Sequence, residues 1–284
     1  MIKLVECPRD AMQGLQTFIP TAQKVRYLNQ LLRVGFHTLD FGSFVSPKAV
    51  PQMSDTVEVL EQLDWQKSKT RLLAIVANLR GAEEAMRHEG VTYIGFPLSI
   101  SDTFQQRNTN KSVVRAMDTV KDIQELCTRH GKLQVVYISM GFGNPYGDPY
   151  SEDLVVEFTG RLKEEGIQIV SLADTVGLAT PQQVTRLFGA LSAAFPDIEL
   201  GVHLHSRPEQ VVAKVKAAVE SGCRRIDGAI KGFGGCPMAQ DELVGNIPTE
   251  KIIGWLEEQG METGVNAAEL VEAVRLAAEI FPKH

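Results

Sequence analysis

No stretch of this 284-residue chain is apolar for long enough to cross a membrane, and no segment concentrates positive charge. The chain carries 29 Lys and Arg against 35 Asp and Glu, a net charge of −6. These absences argue against a membrane-spanning protein and against a nucleic-acid partner. The N-terminus begins directly on a strand-like run without a signal or transit segment, so we expect a cytoplasmic protein.

Cysteine is also scarce. The four cysteines, at positions 7, 127, 223 and 236, are scattered and form no Cys-x-x-Cys pair. A disulfide framework or a zinc ribbon needs a denser or more regular spacing. The sequence therefore indicates a protein from a reducing compartment.

The chain lacks a Gly-x-Gly-x-x-Gly motif after its first strand, which weakens the case for a dinucleotide-binding doubly wound sheet. It has instead eight short β-rich runs that alternate with amphipathic helical stretches. The predicted strands are at about residues 2–6, 37–41, 71–77, 92–97, 132–139, 168–172, 201–205 and 224–229. This alternation is typical of a TIM (β/α)8 barrel. We predict one α/β TIM-barrel catalytic domain over residues 1–284 with a C-terminal helical extension; an open doubly wound sheet is the alternative.

The connections between the strands carry signals of their own. Residues 8–14 and the polar segment after the fourth strand are expected to be loops. Thr21 is expected to cap the first helix, and Thr180-Pro181 to open the helix after strand six. Ser206 and Glu209 have the Ser-x-x-Glu spacing of a capping box, which predicts the start of the next helix.

His203 and His205 stand two residues apart at the end of the predicted seventh strand. Residues at that spacing point to the same face of a strand, so the two imidazoles should project side by side. Imidazole is a common metal ligand, and such a pair can bind one ion. Two histidines that only cap the strand are the alternative.

In a TIM barrel the active site lies at the carboxyl ends of the strands. Asp10 follows the first strand and can face the two histidines across the rim, because strand eight lies between strands one and seven. Asn246 offers an amide oxygen as a fourth ligand. Mixed nitrogen and oxygen ligands suit Mg²⁺, Mn²⁺ or Zn²⁺. The alternative for Asp10 is a turn residue in Pro-Arg-Asp-Ala.

Further candidates follow the strands on the same rim. Arg9, beside Asp10, can stabilise an enolate or hold a carboxylate, and a salt bridge with Asp40 or Asp174 is a compatible structural role. The Gly-rich segment 232–235 leads to Cys236. Its composition is typical of a phosphate cradle or of a lid that carries the thiol into the site. A small buried apolar residue is the alternative for Cys236. The candidates for substrate binding are Asp40, Ser43, Asn108, Asp174 and Thr175.

Several segments resemble those of hydroxymethylglutaryl-CoA lyases, in that family's order and over nearly the whole chain. They are residues 6–13 (Glu-Cys-Pro-Arg-Asp-Ala-Met-Gln), 43–53, 174–177 (Asp-Thr-Val-Gly), 203–205 and 232–240. The Ser-Phe-Val-Ser-Pro-Lys and Gly-Gly-Cys-Pro runs within them are the most specific. The resemblance implies a TIM barrel that binds Mg²⁺ or Mn²⁺ through Asp10, His203, His205 and Asn246.

The resemblance also implies a reaction, the retro-aldol cleavage of 3-hydroxy-3-methylglutaryl-CoA to acetyl-CoA and acetoacetate. In it Arg9 stabilises the thioester enolate, His203 or Asp10 removes the hydroxyl proton, and Cys236 takes part in proton transfer. The substrate partner is then an acyl-CoA, and the family analogy suggests a homodimer.

The chain departs from the family pattern in four places. The pattern Glu-x-Gly-Pro-Arg-Asp would place its glutamate at Val5, whereas this chain has Glu6. Asp40 stands where the family usually has glutamate. Residues 206–209 replace an Asp-Thr and a glycine, and segment 240–246 is one residue longer.

Three functions remain open at this point. The first is the lyase, and the second is a related aldolase or condensing synthase that acts on another substrate. Synthases usually have Gly-Glu-Arg after strand eight, where this chain has Gly-Gly-Cys-Pro, so the lyase is favoured. The third is a barrel that binds a CoA ester without catalysis, for which the altered segment 206–209 is the only support.

Overall fold

Eight parallel strands close into a barrel in the computed structural model, which describes residues 2–235 and 244–281. The strands pair in sequence order, and β8 completes the ring by pairing with β1. The strands are β1 Lys3–Glu6, β2 Thr38–Ser43, β3 Arg71–Ile75, β4 Val91–Ser99, β5 Leu133–Ser139, β6 Ile169–Asp174, β7 Glu199–Leu204 and β8 Arg225–Gly228. The predicted TIM barrel is confirmed, and the open doubly wound sheet is wrong for this chain.

The α-helices of the described residues lie between the strands and after β8. They are α1 Pro8–Gln13, α2 Thr21–Val34, α3 Thr56–Glu61, α4 Leu79–Met86, α5 Asp102–Thr109, α6 Val113–His130, α7 Glu152–Glu164, α8 Pro181–Ala194, α9 Val211–Glu220, α10 Thr249–Glu258 and α11 Ala267–Ile280. The predicted C-terminal helical extension is present as α10 and α11, and α11 packs against α2. None of the described helices is long and apolar enough to cross a membrane.

Two segments predicted as loops are helices. Pro8 opens α1 at a position where its fixed φ suits a helix, and Asp10 lies in the first turn. Ser101 caps α5, where its hydroxyl accepts a hydrogen bond from the Phe104 amide. Both helices are short and carry few apolar residues, so they show no clear 3.6-residue period.

The starts of three helices test the predicted caps. Thr180 caps α8 and forms a capping box with Gln183, as its sequence indicates. Thr21 is the first residue of α2 rather than its cap. The capping box predicted at Ser206 is wrong, because α9 begins at Val211 and the Ser206 hydroxyl donates to the Arg207 carbonyl.

The barrel interior is packed below its carboxyl rim. Apolar and aromatic side chains fill the bore, and they form a cluster separate from the larger core between strands and helices. Strand β2 continues past Asp40 to Ser43, with a register shift against β3 between Asp40 and Gly42. Asp40 therefore lies within the strand rather than at its end. The side chains of the bore cluster are Leu73, Tyr93, Val135, Tyr137 and Ile169.

Candidate metal centre and active site

The carboxyl ends of β1 and β7 bring Asp10, His203 and His205 together. One ligand atom from each residue lies within 4.8 Å of the others. The two imidazole rings are 5.2 Å apart between centroids. His205 lies just beyond β7, where its backbone bridges to Asn246. The predicted convergence of the His-x-His pair with the residue after strand one is thus present in the fold.

The second nitrogen of each imidazole has a partner of its own. His203 Nδ1 lies 3.3 Å from Asp227 Oδ2, and His205 Nδ1 lies 3.0 Å from the Thr175 carbonyl oxygen. A carbonyl oxygen only accepts, so His205 Nδ1 carries the proton and its Nε2 has the free lone pair. That Nε2 is buried without a hydrogen-bond partner among the described residues. Metal-binding histidines are held in this way, and the donor set therefore fits a divalent ion.

Electrostatics at the centre favour an ionised carboxylate beside two imidazoles. Burial raises the pKa of Asp10, but the charges of Arg9, His203 and His205 outweigh burial and lower the pKa below its usual value. Burial lowers the pKa of His205, and the neighbouring His203 lowers it further. Burial also lowers the pKa of His203, but the Asp227 hydrogen bond and the Asp10 charge outweigh it and raise the pKa.

Arg9 is fixed in place by three side chains. Its Nε and Nη2 donate to Asp40, at 3.1 Å and 2.6 Å to Oδ2. Its Nη1 donates to Asp10 at 3.1 Å and to Gln13 at 2.7 Å. Burial lowers the pKa of Arg9, but the carboxylates of Asp40 and Asp10 more than offset this effect and raise it. The guanidinium is therefore a permanent positive charge with a defined orientation.

Asp40 is the counter-ion of this arginine and is 1% exposed. Burial raises the pKa of Asp40 to about 6, although the charge of Arg9 lowers it. Of the two aspartates expected as salt-bridge partners of Arg9, Asp40 forms the bridge and Asp174 pairs with Lys214 instead; Arg9 also pairs with Asp10.

Asn246 lies beside the cluster and is 2% exposed. Its Nδ2 donates to Asp10 Oδ2 at 2.7 Å and to the Phe233 carbonyl at 2.9 Å. The amide thus holds Asp10 in place through its nitrogen, whereas a metal ligand would use Oδ1. Cys236, the predicted proton-transfer residue, lies outside the described residues.

A cavity of about 420 Å³ opens beside the cluster at the carboxyl rim. Most of the residues singled out from the sequence line it, namely Arg9, Asp10, Asp40, Ser43, Asn108, Thr175, His203 and His205. Other polar residues of the lining escaped the sequence reasoning, namely Gln13, Arg107, Thr109, Tyr137 and Ser139. Gln13 lies one turn after Arg9 on α1, and Arg107 lies on α5. Both segments were predicted as loops, so the sequence did not indicate which of their side chains face the cavity.

Asp174 does not join this lining, contrary to its predicted place in the substrate pocket. Its Oδ2 accepts from Lys214 at 2.9 Å and its Oδ1 accepts from the Ala179 amide at 3.0 Å. Lys214 also donates to the His205 carbonyl at 2.8 Å. Both side chains of this pair are buried, so Asp174 and Lys214 support the backbone behind His205.

Two further acidic residues, Glu6 and Asp227, receive a role only from the structure. Glu6 faces away from the cavity, because its carboxylate accepts from the Ile230 amide and from the hydroxyl of Thr249 at the start of α10. Asp227 was overlooked, although β8 pairs it directly with His203 in register. An acidic residue inside a barrel strand was the available signal, since alternation places Arg225 and Asp227 on one face.

Comparisons with known proteins agree with this fold and site. A family described as HMGL-like matches residues 2–277. The hydroxymethylglutaryl-CoA lyase of Bacillus subtilis is 33% identical over 276 residues, 97% of this chain and 91% of that protein. The 3-hydroxy-3-isohexenylglutaryl-CoA/hydroxy-methylglutaryl-CoA lyase of Pseudomonas aeruginosa is 32% identical over 283 residues, 99% of this chain and 93% of that protein. An HMG-CoA lyase structure from Acinetobacter baumannii, in complex with coenzyme A and 3-methylmalate, has a TM-score of 0.91 at 31% identity and covers 99% of this chain and 91% of its own.

A match that runs from the first strand into the last helix covers both the barrel and its rim, so the chain belongs to the HMGL-like family. The relatives described above are hydroxymethylglutaryl-CoA lyases, and this chain is a carbon–carbon lyase of their type. The family resemblance seen in the sequence is confirmed.

Proposed function

We propose that the protein cleaves 3-hydroxy-3-methylglutaryl-CoA, or a close 3-hydroxyacyl-CoA, to acetyl-CoA and acetoacetate or the matching ketone. The observation that carries the proposal is the orientation of the two imidazoles. Their Nδ1 atoms are engaged behind the site, while His205 Nε2 is buried near Asp10 and has no hydrogen-bond partner in the part of the chain that the structure describes. We assign a divalent ion, Mg²⁺ or Mn²⁺ with Zn²⁺ as the alternative, to Asp10, His203, His205 and Asn246, with Asn246 binding through Oδ1 in place of the Nδ2 that it turns to Asp10 here. When bound, such an ion polarises the oxygens that it holds and lowers the pKa of a hydroxyl.

Arg9 is the group that meets the enolate. A guanidinium has five N–H donors, and the hydrogen bonds to Asp40, Asp10 and Gln13 take four of them. One N–H on Nη2 is left for an oxygen that gains negative charge as the carbon–carbon bond breaks. Because Arg9 is already oriented, it stabilises that charge without reorganisation.

Proton transfers complete the reaction. We assign removal of the 3-hydroxyl proton to His203 or Asp10, which line the cavity close to Arg9. The enolate carbon must then gain a proton, and we assign its delivery to Cys236 on the Gly-rich segment. Closure of such a segment over a site would also exclude water.

The apolar and charged residues of the cavity walls indicate where the acyl group and the coenzyme A part of the substrate would lie. Apart from the polar rim, the lining is apolar and contains Val45, Ala49, Val50, Ile75, Ala77, Pro97, Phe104 and Ala173. An alkyl branch on C3 of the acyl group suits these walls. Arg107 is an exposed cation of the same lining, and we assign it to a phosphate of coenzyme A.

An acetyl-CoA release assay tests the function. Substrates are 3-hydroxyacyl-CoA thioesters with 3-methyl and longer 3-alkyl branches, with and without added Mg²⁺ or Mn²⁺ after chelation. We expect turnover that requires the ion and is lost in His205→Ala, while the exposed His130→Ala keeps it. Ion binding without turnover of any thioester would instead favour the non-catalytic barrel, and condensation products would favour a synthase.

We also propose that residues 1–284 act as one catalytic domain and assemble as a homodimer, on the family analogy alone. Light scattering of the purified protein measures the mass directly. A monomer mass at micromolar concentration would contradict the dimer.

A further inference from the structure

A second group of potential metal ligands lies directly beneath the first. Cys7 Sγ, a ring nitrogen of His203 and a carboxylate oxygen of Asp227 all lie within 4.8 Å of one another. Cys7 is 1% exposed and Asp227 is 2% exposed. We name this group the inner cluster. It shares only His203 with the Asp10–His203–His205 group at the rim.

The inner cluster has an unpartnered polar atom of its own. Asp227 Oδ2 lies 3.3 Å from His203 Nδ1, but Asp227 Oδ1 is buried without a hydrogen-bond partner among the described residues. A buried carboxylate oxygen without a partner is unfavourable in a folded protein, because it has lost its hydration and gained no hydrogen bond. A metal ion that binds this oxygen would remove that unfavourable contribution.

The thiol is also surrounded by negative charge. Burial and the charges of Asp227, Asp40 and Asp10 raise the pKa of Cys7 well above its usual value, so the thiol is protonated in the free protein. Arg9 and Arg225 are cations in the same region. The carboxylates of Asp227, Asp40 and Asp10 around the thiol favour a cation at this place, and the two guanidinium groups offset part of their charge.

We propose that the inner cluster is a separate binding site for a thiophilic divalent ion of the Zn²⁺, Co²⁺ or Cd²⁺ class, held by Cys7, His203 and Asp227. Thiolate, imidazole and carboxylate are the ligands that Zn²⁺ takes in proteins, whereas Mg²⁺ and Mn²⁺ prefer oxygen. One thiolate and one carboxylate neutralise the 2+ charge. When the sulfur–metal bond forms, the thiol proton leaves to solvent.

Occupation of this site excludes His203 from the rim group. A neutral imidazole has one lone pair, and the nitrogen of His203 that faces Asp227 is Nδ1. An ion in the inner cluster takes that lone pair, so the ring proton moves from Nδ1 to Nε2. Nε2 then has no lone pair for an ion at the rim. A thiophilic ion therefore switches His203 from one site to the other.

The thiol is a feature of this chain. The lyase pattern Glu-x-Gly-Pro-Arg-Asp has glycine where this sequence has Cys7. The main chain of Cys7 is anchored to β8, since its amide donates to the Gly228 carbonyl at 2.9 Å. The Cys7 side chain therefore starts from a fixed backbone position just after β1, beside the end of β8 that carries Asp227.

Cobalt titration of the whole purified protein tests the proposal. A Co²⁺ ion with a cysteine ligand has a thiolate-to-metal charge-transfer band in the near ultraviolet, which oxygen and nitrogen ligands do not produce. We expect this band in the wild-type protein and in Cys236→Ala and Cys223→Ala, and its loss in Cys7→Ala. Asp10→Asn removes a ligand of the rim group only, so it should keep the band. Circular dichroism checks that each variant is folded.

X-ray absorption of the wild-type protein with one equivalent of Zn²⁺ gives a result that needs no variant. We expect one sulfur neighbour at about 2.3 Å. A wild-type protein without the band or the sulfur neighbour overturns the proposal, and so does a band that survives Cys7→Ala or disappears with Cys236→Ala. These readouts do not involve turnover, so failure of the proposed lyase reaction would leave them unchanged.

Discussion

Replacing Glu6 by glutamine should remove a pH-dependent loss of stability. The Glu6 carboxylate is 0% exposed and accepts from the Ile230 amide at 2.8 Å and from the Thr249 hydroxyl at 2.5 Å. Burial raises the pKa of Glu6 from 4.5 to about 8, even though both hydrogen bonds lower it. Between these two values the folded protein holds a proton that the unfolded chain releases.

The sign and size of the effect follow from that difference. The folded pKa is the higher one, so the stabilising contribution is fully present below pH 4.5 and is lost as the pH rises through about 8. One pKa unit corresponds to about 1.4 kcal/mol, so at neutral pH the free energy of unfolding has fallen by roughly 3 kcal/mol. Glutamine keeps the shape of the protonated acid and can bond both partners of Glu6. We therefore expect Glu6→Gln to be the more stable protein at neutral pH by roughly this amount.

Urea unfolding of both proteins at several values from about pH 5 to about pH 8 measures the effect. The quantity to follow is the difference in the free energy of unfolding between variant and wild type, because other carboxyls such as Asp40 titrate equally in both. Glu262→Gln, at an exposed position, is the matched control and should show no trend. A difference for Glu6→Gln that stays constant over this range would refute the argument from burial.

Four further predictions concern the site and the barrel. Arg9→Met should lower kcat by about 10²–10⁴-fold with metal affinity retained, and a higher KM at unchanged kcat would make Arg9 a carboxylate clamp instead. Asp10→Asn should weaken Mn²⁺ binding, measured by calorimetry, by more than the roughly 10–100-fold that loss of a supporting residue causes; unchanged affinity would remove Asp10 from the ligand set. Cys236→Ala should lower kcat by about 10²–10⁴-fold with the fold intact, whereas a wild-type rate would exclude it from proton transfer. Gly201→Ala should destabilise the protein by about 1–3 kcal/mol, because the new Cβ would lie 3.1 Å from Cδ of Arg225; an unchanged unfolding midpoint would show that Arg225 moves aside freely.

The barrel and the centre of its rim could be predicted from the sequence because they depend on local rules. Eight alternations of strand and helix indicate a closed parallel sheet. The two-residue period of a strand places His203 and His205 on one side, and the order of strands in a ring brings Asp10 opposite them. Each of these steps uses neighbours along the chain or the order of elements.

Helix boundaries were less accessible. Short helices such as α1 and α5 carry too few apolar residues to show a 3.6-residue period, and they form where they pack against β2 and β4. The false capping box at Ser206 shows the reverse error, a local signal without the packing that would make a helix start there.

The roles of individual polar residues were decided only by the tertiary structure. Asp174 sits in a run that resembles the family's active-site segment, yet its carboxylate is taken by Lys214, 40 positions away on α9. Asp227 orients His203 from the neighbouring strand, and Cys7 lies near the same aspartate from the position just after β1. These contacts depend on strand register and on helix packing, which join residues distant in sequence. The sequence by itself determined which chemical groups stand at the rim of this barrel, and the packing of strands and helices decided which of them face the cavity and which face one another.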